Sequence, residues 1–472
     1  MRFAVLLLVA AAVPLSSAAD TFTVRTPSEN VSFDGSVYSE ADGLITVLRP
    51  NGRLEFVPEG AIIKREPGDD PAPLTGDEMI ADLRKRFGGP DGDLFMAVEQ
   101  GSFVIGLVLQ GKLDRKMTGR ANKLLHKAAK FMNDVETTFT KFAKRMDLPR
   151  DPATHKLVMV IFETDAQFDQ YTVETTNTGL SAANIEGFYA HQTNWLAVRL
   201  DECDDFALPL HEGIHQQVYN RGWFKRGSDV PKWFDEGIAT GFEADGLDVD
   251  TDPVQVNARY AAKALEAGTV NFATIIKSDA AFGGDVLAGE AYVRAWALHW
   301  LLAGSRPSQY ADFVRMLGTR SPGQDIDTDG RIDRFQEAFD VKVAGLEEEF
   351  AATLSRVAAR QRVRPPEKKR PGQFSAQEDM GRVSLRMEGR GTRVRAGGLL
   401  TNEHPLRALT FKITITPPVG TKIVWVIPEV PPETRRPLPV RELQSADTSL
   451  SISIESALPD SPTARTWLRA RY

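Results

Sequence analysis

The sequence predicts an α+β chain in which a central region of helices and strands is flanked by a β-patterned segment at each end. Three observations predict this class. Apolar and polar residues alternate in short runs over residues 20–66 and again from residue 383 onward, as in half-buried strands. A helical period of apolar residues extends over residues 112–146. A continuous apolar run at residues 157–162 then predicts a buried strand.

Length and composition predict several ordinary globular domains. The chain has 472 residues, of which 42% are hydrophobic and 26% charged, and a domain usually takes about 100 to 200 residues. The formal net charge of −7 argues against a nucleic-acid partner. Cys203 is the only cysteine, so no intrachain disulfide can form and stability must come from apolar cores.

The N-terminus predicts an exported protein. Arg2 precedes an apolar run over residues 4–15, and small residues follow at Ala18 and Ala19. This is the pattern of a signal peptide, which we place at residues 1–19. A membrane anchor is the alternative, but the run is shorter than the ~20 residues that cross a bilayer, and no later stretch predicts a transmembrane segment. The mature protein is therefore expected in the periplasm or outside the cell.

Residues 20–66 predict a small barrel-like β module. Its alternating runs are separated by turn-forming pairs, and residues 45–56 carry the strongest hairpin signal, because Asn51-Gly52 accepts the positive φ angles of a type I′ turn. Pro and Gly are dense over residues 66–75, which predicts a linker to the next domain.

The central domain, residues 76–360, is expected to contain a mixed sheet followed by a mainly helical half. Residues 187–200 predict two further short strands. Apolar periodicity bounded by Gly and Pro predicts the later helices at residues 253–267, 288–303, 308–317 and 331–358.

The C-terminal part predicts a linker and a second β domain. Residues 361–380 begin with a basic, Pro-rich stretch, typical of a solvated linker. Residues 381–472 return to a period of two with Pro-rich turns, which predicts a β-sandwich.

The residues with recognisable chemistry lie between Leu208 and Glu243. His211, Glu212 and His215 occur in the order His-Glu-x-x-His. On a helix, residues i and i+4 share one face, so both imidazoles can bind one ion while Glu212 stands beside it as a base. A catalytic zinc has three protein ligands and a water, so the motif needs a third ligand downstream.

Glu236 is the candidate for that third ligand. It lies in the run Trp-Phe-Asp-Glu-Gly, and Pro231 before this run fits the start of a helix. Glu243 follows two helical turns later and would share its face. One carboxylate can then bind the metal while the other holds a histidine through a hydrogen bond. We expect Glu243 and Asp235 to support the histidines in this way.

These motifs resemble the gluzincin zinc peptidases of the peptidase MA-like superfamily, in particular the neutral zinc aminopeptidases and exported members. The resemblance covers roughly residues 95–355 and implies a gluzincin-like domain with one zinc ion per chain. It implies His211, His215 and Glu236 as ligands and Glu212 as the base that acts on a zinc-activated water. Two departures occur. Asp235 stands where the aminopeptidases have Asn, and the spacer from His215 to Glu236 holds twenty residues, two more than theirs.

The same resemblance bears on substrate and transition state. It implies that Tyr292, near the start of a predicted helix, stabilises the oxyanion; a buried core tyrosine is the alternative. The Gly-x-Met-Glu-Asn segment that captures a free amino group in aminopeptidases is absent. We therefore expect a zinc endopeptidase rather than an aminopeptidase, with a peptide or protein substrate held along an edge strand at residues 194–200.

A second metal pattern follows at Asp325, Asp327 and Asp329. These residues occupy positions 1, 3 and 5 of a loop of EF-hand type, with Gly330 at position 6. Position 12 is Gln336 instead of the bidentate Glu, so an acidic turn before a helix is the alternative to calcium binding.

Two other readings of the chain remain open. In one, the peptidase-like domain is catalytically inactive and the protein is a binding or scaffolding protein of the cell envelope, with the β modules as candidates for contacting an envelope partner. In the other, the same zinc site serves an amidase or an epoxide hydrolase. The presence of Glu212 favours an active enzyme.

Overall fold

The computed structural model of the protein describes residues 20–68, 71–176, 186–243, 249–268, 270–282, 289–324, 329–361, 363, 373–378, 380–390, 393–417, 421–443 and 450–470. The predicted signal peptide at residues 1–19, and Asp325 and Asp327 of the predicted calcium loop, lie outside these residues. The α+β class is confirmed, since runs of strands stand near both ends of the chain and a run of helices stands between them. Among the described residues, no helix combines the length and apolarity needed to cross a bilayer.

The N-terminal segment folds into an antiparallel five-stranded sheet in the order β4-β3-β2-β1-β5. Phe22, Val24, Val47 and Val57 form its buried core. The strands are β1 (Asp20–Arg25), β2 (Asn30–Ala41), β3 (Leu44–Leu48), β4 (Leu54–Pro58) and β5 (Ile62–Pro67).

The predicted hairpin between β3 and β4 is present, but its turn is not of type I′. Gly52 has a φ of +81°, whereas Asn51 is not among the residues with positive φ. The Gly52 N–H donates to the Arg49 carbonyl at 2.8 Å. Pro50 fits the second position of a type I turn, and Gly52 supplies the left-handed residue after it. The proline therefore decides the turn type.

The central sheet has the order β6-β7-β8-β10-β9. The pairs β7–β8 and β8–β10 are parallel, whereas β6–β7 and β9–β10 are antiparallel. The strand at residues 194–200 is therefore internal, and the prediction that it forms the edge is wrong; the edge strand is β9. The strands are β6 (Phe95–Gln100), β7 (Phe103–Val108), β8 (Leu157–Phe162), β9 (Gly187–Ala190) and β10 (Trp195–Arg199).

Helices cover both faces of this sheet. On one face, Leu157 and Met159 of β8 pack in one core with α2 (Arg115–Arg145). On the other face, Val158 and Val160 pack with α1 (Gly76–Phe87) and α3 (Asp165–Thr176). Since successive strand residues point to opposite faces, burial on both sides explains why β8 is a continuous apolar run.

The chain then becomes helical, as predicted. The boundaries differ at two places. The helix expected from residue 253 begins at Ala258 with Asn257 as its cap, and the helix expected over 331–358 is broken near Asp340, which has a φ of +47°. The helices are α4 (Ala207–Asn220), α5 (Lys232–Phe242), α6 (Ala258–Ala267), α7 (Phe272–Lys277), α8 (Glu290–Ser305), α9 (Pro307–Gly318), α10 (Arg331–Phe339) and α11 (Val343–Gln361).

The C-terminal segment contains two sheets, in the orders β11-β12-β13-β16 and β15-β14-β17. They share one apolar core, in which Val383 and Leu385 of the first sheet meet Phe411 and Trp425 of the second. The elements are β11 (Gln373–Glu378), β12 (Gly381–Arg390), β13 (Arg393–Asn402), β14 (Leu409–Thr416), β15 (Ile423–Val430), β16 (Arg435–Leu443), β17 (Ser451–Ala457) and α12 (Pro462–Arg469).

Candidate metal centre

Helix α4 places the two motif histidines in the interior. Leu210, Ile214 and Val218 are buried at helical spacing and fix one face against the core. A Cβ at Gly213 would lie 3.0 Å from the Met132 Cε of α2, so glycine allows the two helices to approach closely. His211 is consequently only 2% exposed.

Helix α5 carries Glu236 and packs directly on α8. A Cβ at Gly237 would lie 2.3 Å from the His299 Cδ2 and 2.9 Å from the Ala295 carbonyl, so the close approach depends on this glycine. Trp233 and Phe234 bury their rings in the same core. The packing brings Glu236 opposite the histidines of α4.

Three potential ligand atoms converge between the two helices. His211 Nε2 lies 3.2 Å from Glu236 Oε2 and 3.3 Å from His215 Nε2, and His215 Nε2 lies 3.6 Å from the same Glu236 oxygen. Within the described part of the chain, this is the group of three His, Cys, Asp or Glu side chains with metal-ligand spacing. A tetrahedral zinc with bonds of about 2.0–2.1 Å separates its donors by about 3.3 Å. The three residues therefore fit a zinc ion.

The second ring nitrogen of each histidine contacts a carboxylate. His211 Nδ1 lies 2.9 Å from Glu243 Oε1, and His215 Nδ1 lies 3.1 Å from Asp235 Oδ1. An Nδ1–H that donates to a carboxylate leaves the Nε2 lone pair free for a metal. Glu243 and Asp235 thus occupy the places expected for them, although Glu243 lies at the C-cap of α5, just beyond its last turn.

Two tyrosines that sequence reasoning missed hold these carboxylates. The Tyr260 hydroxyl lies 2.9 and 3.0 Å from the two carboxylate oxygens of Glu243. The Tyr219 hydroxyl donates to Asp235 at 3.3 Å. Tyr219 could have been found, because it lies one helical turn after His215. Tyr260 lies on α6 and has no signal in the sequence.

Glu212 is buried next to the histidines. Its Oε2 accepts a hydrogen bond of 2.8 Å from the Tyr189 N–H on β9. Burial raises the pKa of Glu212, and the nearby histidines and the Tyr189 N–H oppose that rise. A carboxylate with a raised pKa and a fixed orientation suits a general base.

Tyr292 lies at the N-terminal end of α8 with its ring centroid 6.5 Å from that of His211. Its hydroxyl has no hydrogen-bond partner among the described residues. Burial and the surrounding carboxylates, Glu236 first among them, raise its pKa well above the usual range. The phenol therefore stays protonated and keeps a proton to donate.

The histidines and carboxylates of the site shift one another's pKa values. Burial lowers the pKa of His211, but the Glu236 and Glu243 carboxylates outweigh burial and raise it to about 9. Burial would raise the pKa of Glu236, but its contacts with His211 and His215 hold it well below its usual range. A metal cation bound here would compete with these protons for the same ligand atoms.

Two further histidines and the predicted calcium loop do not belong to this ligand group. His299 is fully buried, its Nδ1 is 3.1 Å from the Tyr310 hydroxyl, and burial lowers its pKa to about 3, in keeping with a core histidine. His191 packs its ring on Tyr219 at 4.3 Å between centroids. Asp329 precedes α10 in the described part of the predicted calcium loop.

Comparison with known proteins gives one family-model match and a remote structural match. A family model described as "Protein of unknown function (DUF1570)" matches residues 206–324, which include α4, α5 and α8. No curated protein is detectably similar in sequence. The ZmpB metallopeptidase from Clostridium perfringens is similar to this chain over 90% of both chains, with 9% sequence identity and a TM-score of 0.26, which is too low to support an argument about fold or function.

Proposed function

We propose that the protein is an exported, zinc-dependent metallopeptidase of gluzincin type, with one zinc ion held by His211, His215 and Glu236. The convergence of these three ligand atoms at the separations of a tetrahedral zinc shell carries the proposal. Support comes from the carboxylate on the far nitrogen of each histidine, which is typical of metal-ligating histidines.

Glu212 and Tyr292 have different roles in the proposed hydrolysis. A bound zinc supplies Lewis acidity at the scissile carbonyl. Glu212 accepts the proton of the attacking water and passes it to the leaving amine. Tyr292 donates its hydroxyl hydrogen bond to the developing oxyanion, for which its raised pKa keeps the proton in place.

The edge strand β9 favours an extended peptide as substrate. The Arg199 N–H donates to the Glu186 carbonyl, so the antiparallel alternation directs the backbone groups of Gly187 and Tyr189 to the outer edge. The Tyr189 N–H donates a hydrogen bond to Glu212, and the Tyr189 carbonyl can accept one from a peptide backbone. Together with the absent amine-capturing segment, this edge supports endopeptidase activity.

The zinc assignment is tested with purified protein by metal analysis after reconstitution. We expect one zinc per chain in the wild type and in Glu212→Gln, and loss of zinc in His215→Ala. Peptide hydrolysis should stop in Glu212→Gln and in the presence of a chelator. Glu202→Gln, another partly buried carboxylate without a contact to the ligands, serves as the control and should stay active. A zinc-loaded wild type that cleaves no peptide in a diverse library would instead support the inactive scaffolding protein.

We also propose that the protein is exported after removal of the signal peptide. Sequencing the N-terminus of the mature protein from the producing cell should show a chain that begins after Ala18 or Ala19. A protein that still begins at Met1 would contradict the signal peptide.

The proposed domain limits are those expected from the sequence, with the peptidase domain at residues 76–360. Calcium binding at Asp325, Asp327 and Asp329 remains a prediction for titration.

A further inference from the structure

The hairpin turn of the N-terminal sheet lies against the turn that joins β9 to β10. The Leu54 N–H, at the start of β4, donates to the Gln192 carbonyl at 2.7 Å. Arg226 connects the same two turns, because its Nη1 donates to the Gly52 carbonyl at 2.7 Å and to the His191 carbonyl at 3.2 Å. One guanidinium thus joins the N-terminal sheet to the edge of the central sheet.

Arg226 is unusual for a buried charge. It is only 3% exposed, yet no carboxylate among the described residues pairs with it. The guanidinium donates to two neutral backbone carbonyls, and the backbone N–H of Arg226 donates to the Tyr38 hydroxyl oxygen at 2.9 Å. Burying a cation without an anionic partner is costly. A neutral side chain of similar size, such as methionine, could not donate to both the Gly52 and the His191 carbonyl.

The turn that Arg226 holds supports two parts of the metal centre. Tyr189, two residues before His191, donates its N–H to Glu212 at 2.8 Å. The His191 ring packs on Tyr219, whose hydroxyl binds Asp235 and so supports His215. A shift of this turn would therefore move the base and disturb one ligand.

The loop that carries Arg226 has a further connection to the site. It lies between α4, which bears the histidines, and α5, which bears Glu236. The Asn220 side chain at the end of α4 bonds the Asn194 side chain at 2.7 Å, which holds the other end of the β9–β10 turn. Arg226 and Asn220 thus bond the two ends of the turn, at His191 and Asn194.

We propose that Arg226 is a positioning residue for the general base, acting through the carbonyls of His191 and Gly52. The N-terminal sheet is then part of the catalytic unit, because its hairpin turn is the fixed support against which Arg226 holds the β9–β10 turn. This inference rests on the proposed peptidase function for its kinetic consequence, but its structural consequence can be measured without any substrate.

The test compares Arg226→Met, Arg226→Lys and a matched control, Lys225→Met, in the full-length zinc-loaded chain. Lys225 is the neighbouring cation in the same loop and bonds Ser321 at 3.3 Å instead of the hairpin. In Arg226→Met we expect backbone amides of residues 187–195 to exchange hydrogen on the order of tenfold faster. We expect kcat to fall on the order of 10- to 100-fold with KM nearly unchanged, since a misplaced base slows chemistry without weakening binding.

Arg226→Lys and the control Lys225→Met show whether the effect is specific to the guanidinium of Arg226. Arg226→Lys keeps a donor for one carbonyl and should recover part of kcat, and Lys225→Met should match the wild type in exchange and kinetics. Zinc content should stay at one per chain throughout. Equal exchange of residues 187–195 in Arg226→Met and wild type would overturn the proposal, as would an unchanged kcat.

A second variant covers the case in which Arg226→Met does not fold. Tyr38→Phe removes one hydroxyl from the N-terminal sheet and leaves the guanidinium in place. It should raise exchange of residues 187–195 and lower kcat in the same direction by a smaller factor, and no change in either would count against the proposal. If the wild type binds zinc but cleaves nothing, the peptidase proposal fails while the exchange measurement still decides the role of Arg226.

Discussion

Gly237→Ala should weaken zinc binding although residue 237 is not a ligand. The added Cβ would lie 2.3 Å from the His299 Cδ2, whereas ordinary contact begins near 3.4 Å, so α5 and α8 must separate by about 1 Å. His299 cannot move aside easily, because it is fully buried between the Phe234 ring at 4.6 Å and the Tyr310 hydroxyl. Glu236, the next residue, moves with α5.

The magnitude follows from two known effects. Overpacking a filled core costs roughly 1–3 kcal/mol of folding free energy, and the rigid neighbours here place the variant toward the upper value. A displaced ligand helix should lower zinc affinity on the order of 10- to 100-fold, as loss of a supporting contact does in other metal sites. Competition with a chelator of known affinity measures the second effect, and denaturant unfolding of the zinc-free protein measures the first.

Gly304→Ala is the matched control for this substitution. Gly304 lies on α8, and a Cβ there would meet nothing within 4 Å. Alanine should therefore stabilise the helix by up to about 1 kcal/mol and leave zinc affinity unchanged. Our account of the α5–α8 contact would be refuted by a Gly237→Ala protein that binds zinc as tightly as the wild type and unfolds at the same denaturant concentration.

Three further variants test other contacts of the protein. Tyr260→Phe removes the hydroxyl that binds Glu243, so zinc affinity should fall by up to about tenfold in the chelator competition. An unchanged affinity would show that Glu243 positions His211 without Tyr260. Tyr292→Phe should lower kcat on the order of 100-fold while zinc content stays at one per chain; full activity would exclude the tyrosine from oxyanion stabilisation. The Glu163 side chain is fully buried, and burial would raise its pKa, but His404 and Arg407 of the C-terminal segment outweigh burial and lower the pKa from 4.5 to about 2. Its contribution, on the order of 3 kcal/mol, is present above pH 4.5 and is lost as the pH falls toward 2. Between pH 4.5 and pH 2, the free energy of unfolding should therefore fall less in Glu163→Gln than in the wild type. An equal fall in the two proteins would contradict this prediction.

The metal-ligand set could be proposed from the sequence because local spacing determines most of it. His211 and His215 share a helix face by their separation alone, and the glutamate in a second helix completes a known donor set. Glu243 was proposed from the same periodicity, yet α5 ends at Phe242 and Glu243 is its C-cap. Its contact with His211 is therefore set by the chain direction after the helix, which periodicity does not describe.

Features that depend on distant pairing were not accessible in this way. The sequence predicts two strands in residues 187–200 but cannot say which one is at the edge, since that depends on β8 pairing in parallel with β10. The Tyr189 N–H that orients Glu212 is a backbone group and leaves no trace in side-chain patterns. The break at Asp340 has no glycine or proline to mark it.

The aspartate at position 235, where the aminopeptidases that the chain resembles have asparagine, changes the charge balance of the site. A carboxylate accepts from the His215 Nδ1 at 3.1 Å and makes the imidazole a stronger donor to a cation than a neutral amide would. It also adds a second acidic group next to Glu236. Lys232, whose Nζ lies 3.6 Å from Asp235 and 3.5 Å from Glu236, compensates for both carboxylates from one turn earlier on α5. The three residues therefore form one unit, in which the lysine adds to the histidines in lowering the pKa of both carboxyl groups. Both carboxylates then stay ionised, Asp235 to orient His215 and Glu236 to serve as the proposed ligand.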